Sequence, residues 1–290
     1  MKISGAAIIR NGVKLGYPFI ESIKSILPMC DEFVVGVGDS EDGTRAAIEA
    51  INDPKIKIID TKWDMSKRSG GLILSEQTNI VLEKCSGDWI FYIQSDEVFD
   101  IKESEKVLKA IALCEKHPAI DGIVFDYIHF YGSYYTIQAG RNWYGQEVRV
   151  IRNKRDIVSH GDAQGFRKDG KKIRAVACEA RILHYGWARP PEIMVEKVKS
   201  FHKFWHDDKW VEENCSGKGI KEFFSDLGNL EDFKGEHPEI MKDKVNGESE
   251  AFIKQCKKEY LQARGMKQAL KDFSRALPLH SHRNFELVKL

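Results

Sequence analysis

The sequence lacks long apolar runs, and none approaches the roughly 18 consecutive apolar residues that a membrane-spanning helix requires. Its N-terminal apolar run covers residues 3–9, ends at the charged Arg10, and is too short for the core of a secretory signal. We therefore expect a cytoplasmic protein that meets a membrane only peripherally, if at all.

The sequence also has almost no net charge, because 45 Lys and Arg residues oppose 44 Asp and Glu residues. A chain-wide basic field for nucleic acid is therefore absent. The six cysteines include no CxxC pair, so neither a zinc ribbon nor a redox motif is indicated, and we expect reduced, buried thiols. With 42% hydrophobic and 31% charged residues, the composition is that of an ordinary globular protein without repeats.

Short apolar runs alternate with helical patterns along the chain. Strands are predicted at residues 3–9, 32–37, 56–60, 89–93, 122–131 and 180–187. Helices are predicted at residues 19–27, 44–51, 72–84 and 103–117, and helical periodicity dominates beyond Pro191. Strand and helix alternation predicts an α/β protein with a parallel sheet.

Polar residues follow the first four predicted strands, where the carboxyl ends of parallel strands collect ligands. Asp39 could accept a hydrogen bond from a nucleobase, whereas Asp42 and Thr44 fit either a ligand loop or a helix cap. The polar clusters at the four strand ends are Arg10-Asn11, Asp39, Trp63-Asp64 and residues 94–97.

Two further positions allow more than one interpretation. Asp96 and Glu97 follow five apolar residues, so they suit a bound cation, an exposed acidic turn or a helix N-cap. His184 lies between apolar and aromatic residues, so it suits either a ligand or a buried core histidine.

Several of these segments resemble the nucleotide-sugar-dependent glycosyltransferases of family two, which have the GT-A fold. Residues 37–44 (VGDSEDGT) resemble the family's donor-base motif, and residues 77–79 and 87–93 resemble the helix and strand before its DxD motif. Residues 94–97 (QSDE) stand where that motif is expected, although Gln94 replaces its first Asp. The resemblance covers about residues 3–200.

The resemblance implies a GT-A (Rossmann-like) α/β fold with a mixed, mainly parallel sheet flanked by helices. It implies a catalytic domain over residues 1–200 and a helical C-terminal extension over residues 201–290. It also implies a divalent metal, Mn²⁺ or Mg²⁺, held by Asp96 and His184, and an inverting single displacement. The donor-binding residues it implies are Arg10, Asn11, Asp39, Gln77, Gln94, Ser95 and Asp96.

Inverting members of the family use a carboxylate as general base. Asp162 is the first candidate in this sequence, followed by Glu179 and then His160. Trp143, Tyr144, Trp187 and the tyrosines of residues 131–135 are candidates for stacking on the acceptor sugar, although each could simply pack in the core. Arg141 and Arg149 could contact a phosphorylated acceptor or be solvated.

The expected partners are a nucleotide-diphosphate sugar donor and a glycan or glycolipid acceptor, with no nucleic acid. The C-terminal third is basic and amphipathic, which suits either an anionic membrane surface or a solvated helix packed on the catalytic domain. Its basic residues are Lys254, Lys257, Lys258, Arg264, Lys267, Lys271 and Arg275.

Two alternative functions remain. A sugar nucleotidyltransferase shares the architecture, but the glycine-rich loop expected after Ile9 is absent. A catalytically degenerate protein that binds sugar nucleotides or glycans is suggested by Gln94.

Overall fold

The structure is a computed structural model that describes residues 1–67, 69–138, 143–215, 230–263 and 283–289. Arg141 and the basic residues at positions 264, 267, 271 and 275 lie outside the described residues. Among the described residues, no helix combines the length and the apolar character that crossing a membrane requires.

The strands predicted from the sequence are present, together with further strands that the sequence pattern did not indicate. The strands are β1 (Ile3–Ile9), β2 (Glu32–Val37), β3 (Ile56–Asp60), β4 (Trp89–Tyr92), β5 (Glu97–Phe99), β6 (Gly122–Tyr131), β7 (Thr136–Gln138), β8 (Gln146–Arg152), β9 (Ile157–His160), β10 (Gly165–Lys168), β11 (Lys171–Lys172), β12 (Arg174–Trp187), β13 (Leu230–Asp232) and β14 (Glu286–Leu287).

The predicted helices are also present, within one to three residues of the expected ends. The helices are α1 (Phe19–Ile26), α2 (Thr44–Glu49), α3 (Leu72–Leu82), α4 (Ser104–Glu115), α5 (Pro191–His202), α6 (Asp208–Cys215), α7 (Lys242–Asn246) and α8 (Glu250–Ala263). Short 3-10 turns cover Leu27–Met29, Ser69–Gly71, Ile101–Glu103 and Glu239–Met241.

The main sheet is mixed and mainly parallel, as expected. Its strand order is β13-β7-β6-β8-β4-β1-β2-β3, and β12 lies beside β6. Strands β1 to β4 are parallel, and β8 runs antiparallel to both β4 and β6. Since β12 is parallel to β6, the carboxyl ends of β1 to β4, β6 and β12 all lie at one edge of the sheet.

Both faces of the sheet are covered, which explains the continuous apolar strands. In β1, Ala7 and Ile9 pack in one core cluster with residues of α1 and α4, and Ala6 and Ile8 pack in another with residues of α3. This alternation follows from the two-residue period of a strand.

The C-terminal third is not helical throughout, because β13 pairs with β7 and β14 pairs with β12. Residues beyond position 200 therefore extend the same sheet. A separate three-stranded sheet, β11-β10-β9, lies over residues 157–172.

Candidate active site

Arg10, Asp39 and Trp63, which follow three neighbouring strands, come together at the carboxyl edge. Arg10 Nε lies 3.1 Å from Asp39 Oδ1, and its guanidinium carbon lies 5.6 Å from the centroid of the Trp63 ring. The Asp39 side chain keeps 43% of its surface exposed, so it can still accept a hydrogen bond from a ligand.

Two buried polar atoms beside this group have no hydrogen-bond partner within the described residues. Trp63 Nε1 is a donor without an acceptor, and Gln77 Oε1 is an acceptor without a donor. Gln77 is anchored through Nε2, which donates to the Lys62 carbonyl at 3.2 Å. Because buried polar groups are normally paired, the orphaned atoms fit a polar ligand at this end of the edge.

Asn11 and Asp42 hold the loops that surround Asp39. Asn11 has a left-handed backbone with φ of 52°, and its Oδ1 accepts from the Glu41 amide at 3.1 Å. Asp42 accepts from the amides of Lys14 and Thr44 at 2.6 and 3.1 Å, which favours its interpretation as a cap. Burial would raise the pKa of Asp42, but these hydrogen bonds outweigh burial and lower the pKa. The side chains of Asn11 and Asp42 therefore shape the loops.

Gln94 is fixed on three sides at the end of β4. Its backbone amide donates to Glu97 Oε2 at 3.1 Å, and its carbonyl accepts from Ser22 Oγ at 2.8 Å. Its side-chain Nε2 donates to the Ala163 carbonyl at 3.3 Å, and Ser95 beside it is half-buried. This contact brings residues 161–164 to the centre of the edge.

Asp96, His184 and Lys197 form the buried centre of the edge. Asp96 Oδ2 lies 3.6 Å from His184 Nε2 and 3.2 Å from Lys197 Nζ. Burial alone would raise the pKa of Asp96, but the neighbouring charge of Lys197 opposes burial most strongly, and that pKa lies well below its usual range. Burial lowers the pKa of Lys197 to about 8, against the opposing effect of Asp96. A charged carboxylate therefore faces a cation and an imidazole.

A second histidine fixes the tautomer of His184. His129 Nε2 lies 2.7 Å from the Tyr144 carbonyl, which can only accept, so this nitrogen carries the proton. Burial, together with His184, lowers the pKa of His129 to about 3, so His129 is neutral and its Nδ1 is an acceptor. His184 Nδ1 lies 2.8 Å away and must donate to it. In the uncharged ring this tautomer would place the lone pair of His184 on Nε2, the atom that faces Asp96.

This donor set fits part of a divalent-metal site. A carboxylate oxygen and an unprotonated imidazole nitrogen are both common metal ligands, and the second histidine fixes the ring of the first as outer partners of metal ligands do. Within the described ranges, no three His, Cys, Asp or Glu side chains are grouped closely enough to hold a metal ion. Among the described residues, Asp96 and His184 are the side chains at this centre whose chemistry fits metal ligands.

The three aromatic residues expected to bind the acceptor surround the two histidines. The Trp143 and Tyr144 ring centroids lie 5.0 and 4.6 Å from that of His129. Trp187 lies 5.8 Å from Trp143 and stacks on Tyr131 at 5.7 Å. The aromatic side chains therefore pack on one another while they border the Asp96 centre.

Asp162 lies in the loop that Gln94 contacts. Burial raises its pKa, while Arg149 and His160 oppose that rise. A Cβ atom added at Gly71 would lie 2.9 Å from Asp162 Cβ and 3.0 Å from the Trp205 ring. Asp162 is thus enclosed between Gly71 and Gln94, next to the end of β4.

The other two candidates for the general base have different surroundings. Glu179 has an exposed side chain at a bulge of β12, with φ of 57°, and its carbonyl accepts from Lys106 Nζ at 2.9 Å. The structure does not bring Glu179 to the Asp96 centre. His160 has an exposed side chain at the end of β9.

The expectation that Arg149 meets solvent or a phosphorylated acceptor is wrong. Arg149 is fully buried and makes a two-pronged ion pair with Glu97, through Nε to Oε2 and Nη2 to Oε1, each at 2.8 Å. Tyr127 Oη also donates to Glu97 at 2.8 Å. A buried arginine needs a charged partner, and Glu97 provides that partner. Glu97 is therefore buried with Arg149, and the prediction of an exposed acidic turn is wrong for this residue.

Sequence reasoning assigned no role to His129, Lys197 or Arg189. His129 shares one face of β6 with Tyr127 and Tyr131, so the two-residue period of that strand was a usable signal. Arg189 donates to the carbonyls of Leu15 and Tyr185, and its guanidinium carbon lies 4.7 Å from the centroid of the Tyr17 ring. Arg189 and Lys197 belong to the segment after His184 that resembles the family's metal-site segment, but no local pattern indicated that their side chains point back to the sheet edge.

The sequence model of the family described as Glycosyl transferase family 2 matches residues 17–172, just over half of the chain. The chain belongs to glycosyl transferase family 2. The family assignment confirms the resemblance that the sequence motifs indicated. No curated protein matches the sequence.

The glycosyltransferase is also similar to solved structures, at low identity. S. aureus TarS is 15% identical, with a TM-score of 0.43, over 93% of this chain and 50% of TarS. The structure of S. aureus TarS 1-349 in complex with UDP-GlcNAc is 16% identical, with a TM-score of 0.41, over 93% of this chain and 83% of that chain. Glucosyl-3-phosphoglycerate synthase from Mycobacterium tuberculosis, in complex with Mn²⁺, UDP and glucosyl-3-phosphoglycerate, is 18% identical, with a TM-score of 0.30, over 45% of each chain.

The glycosyltransferase thus spans half the length of the TarS chain. At these identities and TM-scores the structural likeness assigns neither substrate nor mechanism. Substrate and mechanism therefore have to be inferred from the site residues of this chain.

Proposed function

We propose that this glycosyltransferase moves a sugar from a nucleoside-diphosphate sugar to a hydroxyl of a glycan or glycolipid acceptor, with inversion and with a divalent metal. The observation that supports this proposal best is the Asp96–His184 pair at the centre of the carboxyl edge. Asp96 Oδ2 and His184 Nε2 lie 3.6 Å apart, and the tautomer set by His129 leaves the nitrogen able to coordinate.

The nucleoside of the donor would lie at the β1–β3 end of the edge. Asp39 has an exposed carboxylate for a base N–H, and Trp63 and Gln77 each have one orphaned polar atom there. Arg10 is held in place by Asp39 and Trp63, so its charge is available to the donor without further ordering.

The diphosphate would lie beside Asp96, where two buried cations add to the field. Lys197 is 3.2 Å from Asp96, and Arg189 lies close enough to lower the pKa of Asp96 as well. Two cations against one carboxylate leave positive charge for an anionic leaving group. Asp96 and His184 would hold Mn²⁺ or Mg²⁺, which when bound supplies further charge to neutralise the diphosphate. Gln94, which replaces an acid, adds no negative charge to this field.

Asp162 would act as the general base. Its burial raises its pKa, so the carboxylate is a stronger proton acceptor than a solvated one. Attack by the acceptor hydroxyl in one displacement inverts the anomeric centre, and no covalent intermediate with the protein is required.

The boundaries and the surroundings of the enzyme are also proposals. We assign residues 1–200 to the catalytic domain and residues 201–290 to an extension that completes the sheet edges with β13 and β14. The basic residues of the extension are suited to an anionic membrane surface, and a cytoplasmic enzyme at such a surface would meet glycolipid acceptors.

The test is a thermal-shift series on the full chain with UDP, GDP, CDP, dTDP and their sugars, with and without Mn²⁺. A ligand that binds only the native state at 100 times its Kd stabilises by about 2.7 kcal/mol, which raises Tm by several degrees. We expect one nucleotide to give a metal-dependent shift that is lost in Asp96→Asn and kept in Glu105→Gln, whose side chain is 82% exposed on α4.

Absence of a shift with every nucleotide would contradict the proposal. Pyrophosphate release from a nucleoside triphosphate and a sugar phosphate would instead indicate a nucleotidyltransferase. Donor binding without any transfer would indicate the degenerate binding protein.

A further inference from the structure

The last residues that the structure describes, 283–289, form a C-terminal segment that is fixed against the main sheet. Its strand β14 runs parallel to β12, and the amide of Val288 donates to the Ala175 carbonyl at 2.8 Å. Phe285 is 3% exposed and belongs to the core cluster that also contains Phe166 of β10. The segment is therefore an integral part of the fold.

Within this segment, Asn284 contacts both β8 and β10. Its Nδ2 donates to Glu147 Oε1 at 3.1 Å, and its carbonyl accepts from Arg167 Nη1 at 3.0 Å. A Cβ atom added at Gly165 would lie 2.8 Å from Asn284 Cβ, so any side chain there would displace Asn284. Gly165 is the first residue of β10 and directly follows the loop 161–164. Asn284 therefore lies against the point where that loop ends.

The loop 161–164 has a backbone that contacts from outside the loop must hold. Ala163 has φ of 62°, a left-handed conformation that is unfavourable for a residue with a Cβ atom. Gln94 Nε2 donates to the Ala163 carbonyl at 3.3 Å, and Arg149 Nη1 donates to the Gln164 carbonyl at 3.1 Å. The contact of the C-terminal segment at the end of the loop adds a third point of support.

Glu147 makes this third contact depend on a hydrogen bond as well as on packing. Its side chain is 1% exposed, and its Oε2 has no hydrogen-bond partner among the described residues. Burial raises the pKa of Glu147 to about 7, against the opposing effects of Arg149 and of the Asn284 hydrogen bond. The charges of Glu97 and Asp162 add to the rise. Loss of the Asn284 amide would thus remove the donor to Oε1 from a buried carboxyl beside the loop, which is costly for a buried polar group.

We propose that Asn284 is a positioning residue for the general base, because it fixes the end of the Asp162 loop and holds Glu147 beside that loop. The inference rests on the proposed function, in which Asp162 takes the proton of the acceptor hydroxyl. It links the C-terminal segment to the active site, although Asn284 lies 137 positions after Glu147 in the sequence.

The test combines hydrogen–deuterium exchange with donor turnover, both on the full chain. In Asn284→Asp, a carboxylate replaces the donating amide and faces Glu147, so amide exchange in residues 161–165 should become at least about tenfold faster. Turnover is the release of nucleoside diphosphate, with water as the acceptor, from the nucleotide sugar that gives the largest thermal shift. We expect kcat to fall at least about tenfold and the donor KM to stay within about twofold, because the base is displaced and the donor site is not.

Reversing the hydrogen bond distinguishes positioning from a general loss of structure. When Glu147→Gln is combined with Asn284→Asp, the new amide can donate to the new carboxylate, so exchange and kcat should both return to within about threefold of the unsubstituted chain. Asn284→Ala removes the amide without adding a charge and should show the same losses even if Asn284→Asp does not fold. Glu286→Gln is the matched control, because its side chain is 64% exposed on the same segment, and it should leave exchange and kcat unchanged.

Exchange or kcat values that the two Asn284 variants leave unchanged overturn the positioning role. A double variant that recovers neither quantity overturns it as well. A thermal shift that is absent with every nucleotide, while the exchange results are as expected, contradicts the proposed function and leaves the support of the loop by Asn284 in place.

Discussion

At the scale of single residues, Asp162 and Glu179, the first and second candidates for the general base in the sequence, have very different surroundings. Asp162 is half-buried in the loop that Gln94 contacts, and its pKa is raised by burial. Glu179 has an exposed side chain on a bulge whose carbonyl is bound by Lys106 of α4. Only Asp162 combines a suitable position with a suitable environment.

We therefore expect Asp162→Asn to lower kcat by about 10²- to 10⁴-fold, because the amide cannot take the proton of the acceptor hydroxyl. Glu179→Gln should keep kcat within about twofold, as is usual for an exposed residue outside the site. Steady-state kinetics measures both variants, and a nucleotide thermal shift checks that each still binds the donor. An Asp162→Asn enzyme with normal kcat would remove Asp162 from the mechanism.

Arg149 shows the opposite case, in which the tertiary structure changes the meaning of a residue. Its charge suggests a surface or ligand contact, but the side chain is fully buried against Glu97. Glu97 precedes β8 by about 50 positions in the sequence, so no local pattern links the two. The ion pair links β5 to β8 next to Gln94, and it thereby stabilises the end of β4 at the site.

At the scale of elements, the 3-10 turn Ser69–Gly71 connects the predicted donor and base regions. Gly70 and Gly71 have φ values of 62° and 70°, which disfavour residues with a Cβ. The space around them differs, because a Cβ at Gly70 would meet no atom within 4 Å, whereas one at Gly71 would lie 2.9 Å from Asp162 Cβ. Substitutions at the two glycines therefore distinguish the effect of backbone strain, which both share, from the effect of contact with Asp162, which only Gly71 has.

We expect Gly70→Ala to cost about 1–2 kcal/mol of stability through its left-handed backbone and to leave kcat nearly unchanged. Gly71→Ala carries the same strain and also displaces Asp162 or Trp205, so it should lower kcat by at least about tenfold, the factor that corresponds to 1.4 kcal/mol of barrier. Urea denaturation and steady-state kinetics on the two variants provide the comparison. Equal kcat values would show that the close contact at Gly71 is irrelevant to Asp162.

Strand β12 shows why the limits of an element are harder to predict than its existence. The apolar pattern places a strand at residues 180–187, but β12 begins at Arg174. The pairing with β6 shifts register between Ala177 and Arg181, where Glu179 has positive φ. A bulge interrupts the two-residue alternation, so the first half of the strand does not continue the pattern of the second.

At the scale of the whole molecule, the described residues form two hydrophobic clusters on the two faces of one sheet, with further clusters beside β6 and β12. All six cysteines are reduced and buried, as the sequence predicts. Burial raises the pKa of Cys30, Cys85 and Cys178 to about 12, which suppresses the reactive thiolate.

The native enzyme should therefore be almost unreactive toward the thiol reagent DTNB at pH 8, and all six thiols should react once the chain is unfolded in guanidinium chloride. The thiols lie after the 3-10 turn Leu27–Met29, after α3, and in α4, β12, α6 and α8. Because they are distributed over the whole fold, slow labelling would report opening of the fold as a whole. Rapid labelling of one thiol in the native state would show that part of the chain opens independently.

The sequence by itself determined the order of strands and helices through β4, the later α4 and β6, and the polar residues at the carboxyl ends of β1 to β4; the short β5 was missed. These features follow from local periodicity and from the rule that parallel strands end at one edge. The family motifs determined Asp39, Asp96 and His184 as candidates in the same way, because each motif is contiguous.

Only the tertiary structure decided which other residues surround those candidates and pair with them. The histidine pair joins β6 to β12, Lys197 returns from α5 to Asp96, and Arg149 pairs with Glu97. All of these contacts join residues that are distant in sequence, so no local pattern contains them. Burial in the folded structure also sets which of these groups are charged, and no local pattern shows that burial.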